Sequence, residues 1–577
     1  MSKIAQVISV LPDKIKIRVS DINKFKADSE KFAVGSYLRV SDHEDGALLC
    51  MIENFLIENK ESNKNEDGKD DYILEAAPIG FIDINGEFTR GGNNIAIPPT
   101  GVELARKFEV QKIYDGMDSN IKFCFSKLLQ DNQITVPVEG NKFFNKHIAI
   151  MGSTGSGKSH TVSTILQKAI SEKKNNNFTL NNSHIVLFDI HSEYKTAFPK
   201  ANFIDVDNLK LPYWLMNGEE LEELFVESGE NQSYNQSSVL RRVITLNKKV
   251  HNSNIKNITF DTPVKFSIRE VINCITNLAN ETKNSKKPNI FCLKEDLKEF
   301  LEEDEKLKYY FNSVLEFEET KQGSINKGNY NDGSLEKFKS RITTKINDNR
   351  LAFLFGEESH NVSFEETLRN IIGYDTKKQS NITIIDLSGV PFEVLSITVS
   401  LISRMLFDFA YTYKKLMDVE NGIQPLPLLV VYEEAHKYVP KVKSAKYNSS
   451  RIAIERIAKE GRKYGISLMI VSQRPSEISE TIFSQCSNFV TMRLTNPDDQ
   501  SYVKRLLPDI VGPITDSLPT LREGEAILIG EAINMPSLVK IDLCKPEPSS
   551  KNIEFLKEWK EPWFDFDISK VTDILKK

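Results

Sequence analysis

An α/β protein with a parallel-rich central sheet, a small amino-terminal β-barrel and an inserted helical subdomain is the fold this sequence predicts, on three observations. From His147 onward, short apolar runs alternate with helical patterns, the arrangement of βαβ units. One of those runs passes through a glycine-rich turn directly into a helical stretch. Ahead of them, from Lys3 to about Ile121, the runs are short, β-rich and partly alternating.

The elements follow in chain order. IAQVISV, KIKIRV, SYLRVSD, ALLCMIENFLI and YILEAAPIGFI, separated by polar stretches, suit a small antiparallel barrel over residues 1–130. The polar interval from Glu58 to Asp71 is expected to protrude as a hairpin loop. The core occupies 131–211 and 379–545, with strands at HIAIMG (from His147), HIVLFDI (from His184), NITIIDLSG (from Asn381), PLLVVYEE (from Pro427), SLMIVSQ (from Ser467) and FVTMRL (from Phe489). Between the second and third of these, residues 212–378 hold GEELEELFVES, REVINCITNLANE and KEDLKEFLEEDEKLKYYFNSVLEF, which predict the helical insertion. EAILIG and LVKIDL close the core. The tail, 546–577, carries Trp559 and Trp563 and packs either on its own domain or on a neighbouring subunit.

Composition narrows the function classes. A chain of 577 residues holds about three or four structural units. No run approaches the 18 or so apolar residues that cross a bilayer, and Leu426–Tyr432 is only strand-sized, so no membrane span is expected. Six cysteines lie scattered without a metal-ligand or disulfide pattern, which fits a reducing cytoplasm. A net charge of −6 gives no bulk footprint for nucleic acid, although a ring could still gather its basic groups on one surface.

Gly152-Ser153-Thr154-Gly155-Ser156-Gly157-Lys158-Ser159 matches G-x-x-x-x-G-K-[ST], with a strand before it and a helix from His160 after it. Glycines let backbone N–H groups turn inward around phosphates, Lys158 offers an ammonium to the β and γ phosphates, and Ser159 suits Mg²⁺. The sequence therefore binds a nucleoside triphosphate. LLVVYEEAH then ends a buried strand on two acids: Glu433 is assigned to Mg²⁺, reached through water, and Glu434 to the attacking water. Asp386, ending TIIDLSG without a second acid, reads as structural.

Gln473, at the end of SLMIVSQ, either senses the γ-phosphate or satisfies loop backbone. Among Arg451, Arg456 and Arg462 in RIAIERIAKEGRKYG, Arg462 is the candidate arginine finger, with a solvated, mixed-charge helix face as the open alternative. Lys437, Lys441, Lys443 and Lys446, with Tyr447, form a basic patch that would contact DNA phosphates if it faces a pore.

These pieces together resemble the HerA branch of the HerA/FtsK translocase ATPases: GSTGSGKS, FDIHSEY from Phe188, PYWL from Pro212, IIDLSG from Ile384, YEEAH from Tyr432, GRKYG from Gly461 and SQRP from Ser472 occur in family order. The resemblance implies a RecA-like ATPase core in a homohexameric ring that threads double-stranded DNA and works with an effector docked on the barrel side. It implies ATP and Mg²⁺ as cofactors, Lys158 and Ser159 as their holders, Glu434 as catalytic acid, Gln473 as sensor, Arg462 as candidate finger and Arg474 as support for the same site. Asp189, His191 and Glu193 match the second-strand motif without a role that sequence assigns. The family usually has Asp then Glu where this chain has Glu433 then Glu434. Similar chains work with NurA-type nucleases in DNA end processing, or with sirtuin-like or nuclease effectors in antiphage defence. No nuclease metal cluster, nucleophile triad or nicotinamide-binding motif is visible here, so effector chemistry is expected in another chain. The rival expectation is an ATP-regulated ring scaffold that activates an effector with little DNA movement.

Overall fold

The computed structural model describes residues 4–11, 14–26, 32–41, 46–58, 71–91, 100–173, 179–227, 233–374, 379–420, 422–442, 448–506, 512–550 and 553–575. The expected hairpin loop between Glu58 and Asp71 lies outside the described residues, as do Lys443, Lys446 and Tyr447.

Strict alternation builds the amino-terminal unit. In Ile15–Val19, Ile15, Ile17 and Val19 are buried while Lys16 and Arg18 face outward, the period-two pattern of a sheet with one wet face. The antiparallel sheet closes because Ile15–Val19 pairs with Ala5–Val10 on one side and with Tyr72–Ala76 on the other. Val7, Ile17, Leu38, Leu48, Ile52 and Leu74 fill its interior. Closure leaves those strands no free edge.

The second sheet has eleven strands: β1 Lys122–Leu128, β2 Thr135–Glu139, β3 Ile148–Met151, β4 His184–Asp189, β5 Asn202–Ile204, β6 Ile382–Asp386, β7 Leu428–Tyr432, β8 Ile466–Ser472, β9 Asn488–Met492, β10 Glu525–Gly530 and β11 Ser537–Ile541. Their spatial order is β5-β6-β4-β7-β8-β3-β9-β10-β11-β1-β2. From β5 to β9 all neighbours are parallel, and from β9 onward antiparallel. Strands β3, β4 and β6 to β9 are buried along their whole length, which is why they read as unbroken apolar runs. The sheet also recruits Lys122–Leu128, which the expected boundary at 130 places in the barrel, by pairing Val539 with Leu128 and Ile541 with Ser126.

Helices cover the sheet, among them Lys158–Ser171, Phe392–Val419 and Ser449–Glu460. Phe392–Val419 is long and apolar enough to cross a membrane by length and composition, yet 78% of its most apolar window is buried in the protein. Being apolar nearly all round, it shows no amphipathic stripe, and the sequence pattern did not reveal it as a helix.

The insertion is helical as expected but also contains a four-stranded antiparallel sheet, which the sequence pattern did not show. Leu297–Glu299 belongs to that sheet, paired with Ile290–Cys292, and the helix expected across it is confined to Glu303–Phe311. The acid run explains the start: Glu303, Asp304 and Glu305 occupy the helix's first turn, where negative charge meets the positive end of the helix dipole. Glu220 fastens the insertion to the core. Its carboxylate accepts from Arg404 Nη2 at 3.0 Å and from Ser400 Oγ at 2.9 Å, both on Phe392–Val419. The start of the tail lies on the core, where Glu547 O accepts from Thr196 Oγ1 at 2.8 Å and Ser549 N donates to Glu193 O at 2.7 Å, whereas further along Trp559 is 75% exposed and Trp563 94%.

Candidate active site

The phosphate loop joins β3 to the helix Lys158–Ser171, and its glycines are dictated by space and φ. Gly157 has φ +98°, a left-handed conformation that suits only glycine. At Gly152 a Cβ would lie 2.5 Å from Ser156 Oγ and 2.9 Å from Met492 Cβ. Strand ends on both sides clasp the loop. From β9, Arg493 O accepts from Ser153 N at 2.7 Å, and Thr495 N donates to Ser153 Oγ at 3.0 Å. From β8, Ser472 O accepts from Gly152 N at 3.2 Å, and Gln473 Oε1 accepts from Thr154 Oγ1 at 2.5 Å. The loop is thus shaped before any ligand arrives, with helix N–H groups open to an anion.

Lys158 Nζ donates to Ser153 O at 3.2 Å. Burial holds its pKa below the usual lysine value, against the opposing pull of Glu434, Glu433 and Glu193, which places these three carboxylates around the ammonium. Ser159 Oγ donates to Glu193 Oε2 at 2.6 Å. His160 turns away from the loop, its Nδ1 lying 3.3 Å from Cys544 Sγ.

β8 lies between β3 and β7, so the acids ending β7 stand about 10 Å from the phosphate-loop strand, two interstrand spacings. That gap accommodates a γ-phosphate and an attacking water. Glu434 is 4% exposed and adopts φ 49°, ψ 47°, a left-handed placement of the kind that concentrates at functional sites. Its Oε2 lies 3.2 Å from His436 Nδ1, which in turn lies 3.2 Å from Ser472 Oγ. Glu433 is 3% exposed, and its Oε2 has no hydrogen-bond partner among the described residues. Burial, reinforced by the neighbouring Glu434 charge, pushes the Glu433 carboxyl up to about 9. A buried carboxylate oxygen without a partner, next to a serine hydroxyl and two further acids, is a donor set that suits a hard divalent cation. The residues present fit Mg²⁺ bound with a triphosphate.

Asp189 shapes the turn beside this site. It accepts from His191 N at 3.2 Å and Tyr194 N at 3.0 Å, and between them Ser192 takes φ 57° to present Glu193. Asp386, on β6 beyond β4, accepts from Ser388 N at 2.9 Å. Other expected residues lie apart from the phosphates. The exposed Arg474 pairs with Glu477 at 2.7 Å. Lys441 pairs with Glu480 at 2.7 Å and lies over the Tyr502 ring. Arg462 is exposed at the opposite end of β3, close enough to influence His147 and Glu531. Sequence gave Arg493 no role, yet its Nη2 donates to Gly155 O at 3.3 Å. The only available signal was its place just after the last parallel core strand.

Fold and site together define a P-loop ATPase whose carboxylate pair faces the phosphate loop across one intervening strand. A family model described as the central domain of the helicase HerA matches residues 123–406, so that stretch of the chain is similar to the central domain of the HerA family. The DNA double-strand break repair helicase HerA of Sulfolobus acidocaldarius is 27% identical over 503 residues, covering 86% of this chain and 83% of that protein. A Methanocaldococcus jannaschii protein named as a probable helicase is 22% identical over 585 residues, covering 96% of this chain and 95% of its own. Among solved structures, VirB4 of Thermoanaerobacter pseudethanolicus aligns with a TM-score of 0.45 and 13% identity, across 74% of this chain and 98% of that one.

Proposed function

We propose that the chain is an ATP-driven, hexameric double-stranded DNA translocase that works with a separate effector, either a nuclease of the NurA type, another nuclease or a sirtuin-like enzyme, in DNA end processing or antiphage defence. The observation that carries this reading is Glu434 held in a left-handed turn across β8 from the phosphate loop. From there it aims a water at the γ-phosphate and takes its proton. Lys158 and the loop N–H groups offset the charge that develops on the phosphates. Mg²⁺, when bound, neutralises the β and γ oxygens, with Ser159 and Glu433 on its side of the site.

A mechanical link from phosphate to DNA runs through Gln473. The segment after it pairs with the segment after Glu434: Lys441 N donates to Glu477 O at 2.8 Å and Ser479 N to Val439 O at 3.0 Å. Loss of the γ-phosphate at Gln473 therefore moves the base of the basic loop that carries Lys441. The exposed tail aromatics suit a brace onto a neighbouring copy, which supports the ring.

The ion pair that ties Lys441 to Glu480 favours a second reading, a ring scaffold that activates its effector without moving DNA. One variant separates the two. Glu434→Gln should retain ATP and the ring but lose at least about 100-fold in DNA-stimulated turnover. A motor then loses effector activation, whereas a scaffold keeps it. If wild-type turnover responds to neither duplex DNA nor effector, translocation is the wrong reading.

A further inference from the structure

Glu193 enters the sequence reading as part of a motif with no assigned task, and its contacts supply one. Its carboxylate accepts the Ser159 hydroxyl proton at 2.6 Å, which leaves the lone pairs of the serine oxygen to face the phosphate pocket. The contact is held from several directions. Asp189 closes the turn through His191 N and Tyr194 N, and Ser549 N donates to Glu193 O at 2.7 Å from the segment that leads into the tail. Ser192 stays at φ 57° within that turn, a conformation that persists only where the surroundings impose it.

Glu433 behaves differently. In P-loop NTPases the loop serine shares Mg²⁺ with an acid of the Walker B strand, which here is β7. Yet Glu433 Oε2 is buried beside Lys158 and Glu193 without a hydrogen bond. The serine hydroxyl donates not to Glu433 but to Glu193, in the turn after the neighbouring strand β4.

Resting on the ATPase reading above, we propose that Glu193, presented by the turn after β4, is the positioning residue that orients Ser159 toward the magnesium of Mg–ATP. A carboxylate that accepts a hydrogen bond from a ligand hydroxyl both fixes the oxygen's direction and raises its basicity toward the cation, an effect commonly worth tenfold or more in metal affinity. Glu193 thus ties magnesium affinity to the segment at Ser549.

The test is nucleotide affinity in the full chain, read by titrating a fluorescent ATP analogue in Mg²⁺ and, separately, in EDTA. The ratio of the two Kd values measures how strongly magnesium supports binding. Glu193→Ala should lower that ratio about tenfold, with EDTA affinity unchanged or tighter because a negative charge leaves the phosphate site. Glu193→Gln keeps the size and an acceptor oxygen but not the charge, and should fall between wild type and Glu193→Ala; it decides the matter if Glu193→Ala does not fold. An unchanged ratio, or two affinities that fall in parallel as they would for mere support of the turn, overturns the proposal. Wild-type protein that fails to bind the analogue in either buffer overturns the ATPase reading instead.

Discussion

At the scale of single residues, Glu433 dominates the electrostatics of the site. Burial and the adjacent Glu434 charge put its carboxyl at about 9, against 4.5 for the free group. An acid raised on folding contributes stability that is intact below pH 4.5 and is lost as pH climbs toward 9, because the unfolded chain ionises first. At pH 7 that penalty is on the order of 3 kcal/mol. Glu433→Gln is neutral at every pH, so it escapes the loss. Nucleotide-free Glu433→Gln should match the wild-type melting temperature near pH 5 and exceed it near pH 8. A constant difference between the two proteins across that range would show that Glu433 is ionised in the folded state.

At the scale of elements, His147 is the fastening that no local pattern exposes. It is 1% exposed with φ 51°, donates from Nε2 to Ala458 O at 3.0 Å and accepts at Nδ1 from Leu468 N at 3.0 Å. One neutral ring thereby joins the start of β3 to β8 and to the helix Ser449–Glu460. Burial pulls its pKa from 6.5 down to about 4, so the stability it confers is whole above pH 6.5 and is lost as pH falls through 4. His147→Ala leaves a buried N–H and a buried C=O unpaired and should cost roughly 2–4 kcal/mol, measured by denaturant unfolding at pH 7. The variant should also lose the wild-type slope of stability between pH 6.5 and 4.

These contacts mark where sequence reading stops. Buried parallel strands were legible because each is a short apolar run, and the phosphate loop because its chemistry is contiguous from Gly152 to Ser159. Glu434 was legible from the same kind of local context. The Ser159–Glu193 and His147–Ala458 bonds join residues 34 and 311 positions apart, and only the spatial order of the strands brings them together. The three-residue strands of the insertion were hidden for a different reason, since runs that short carry no periodicity.

At the scale of the whole molecule, the distance between Arg462 and the phosphate loop means that Arg462, if it is a finger, works only across an interface between copies. The loop leaves the carboxyl end of β3, whereas Arg462 lies beside His147 at the amino end. The four residues of β3 alone separate them by about 13 Å, with the sheet between. Arg462 therefore cannot serve its own nucleotide, and as a finger it acts only on that of a neighbour. Arg462→Ala and Glu434→Gln should each be inactive alone, since every interface in either ring lacks one partner. Mixed one to one and allowed to exchange subunits, they form interfaces in which an intact Arg462 faces an intact Glu434. With random mixing these are about a quarter of all interfaces, so turnover should recover to that order. The measurement is ATP hydrolysis with DNA before and after mixing, with subunit exchange followed through two affinity tags. No recovery despite exchange would remove Arg462 from the finger role.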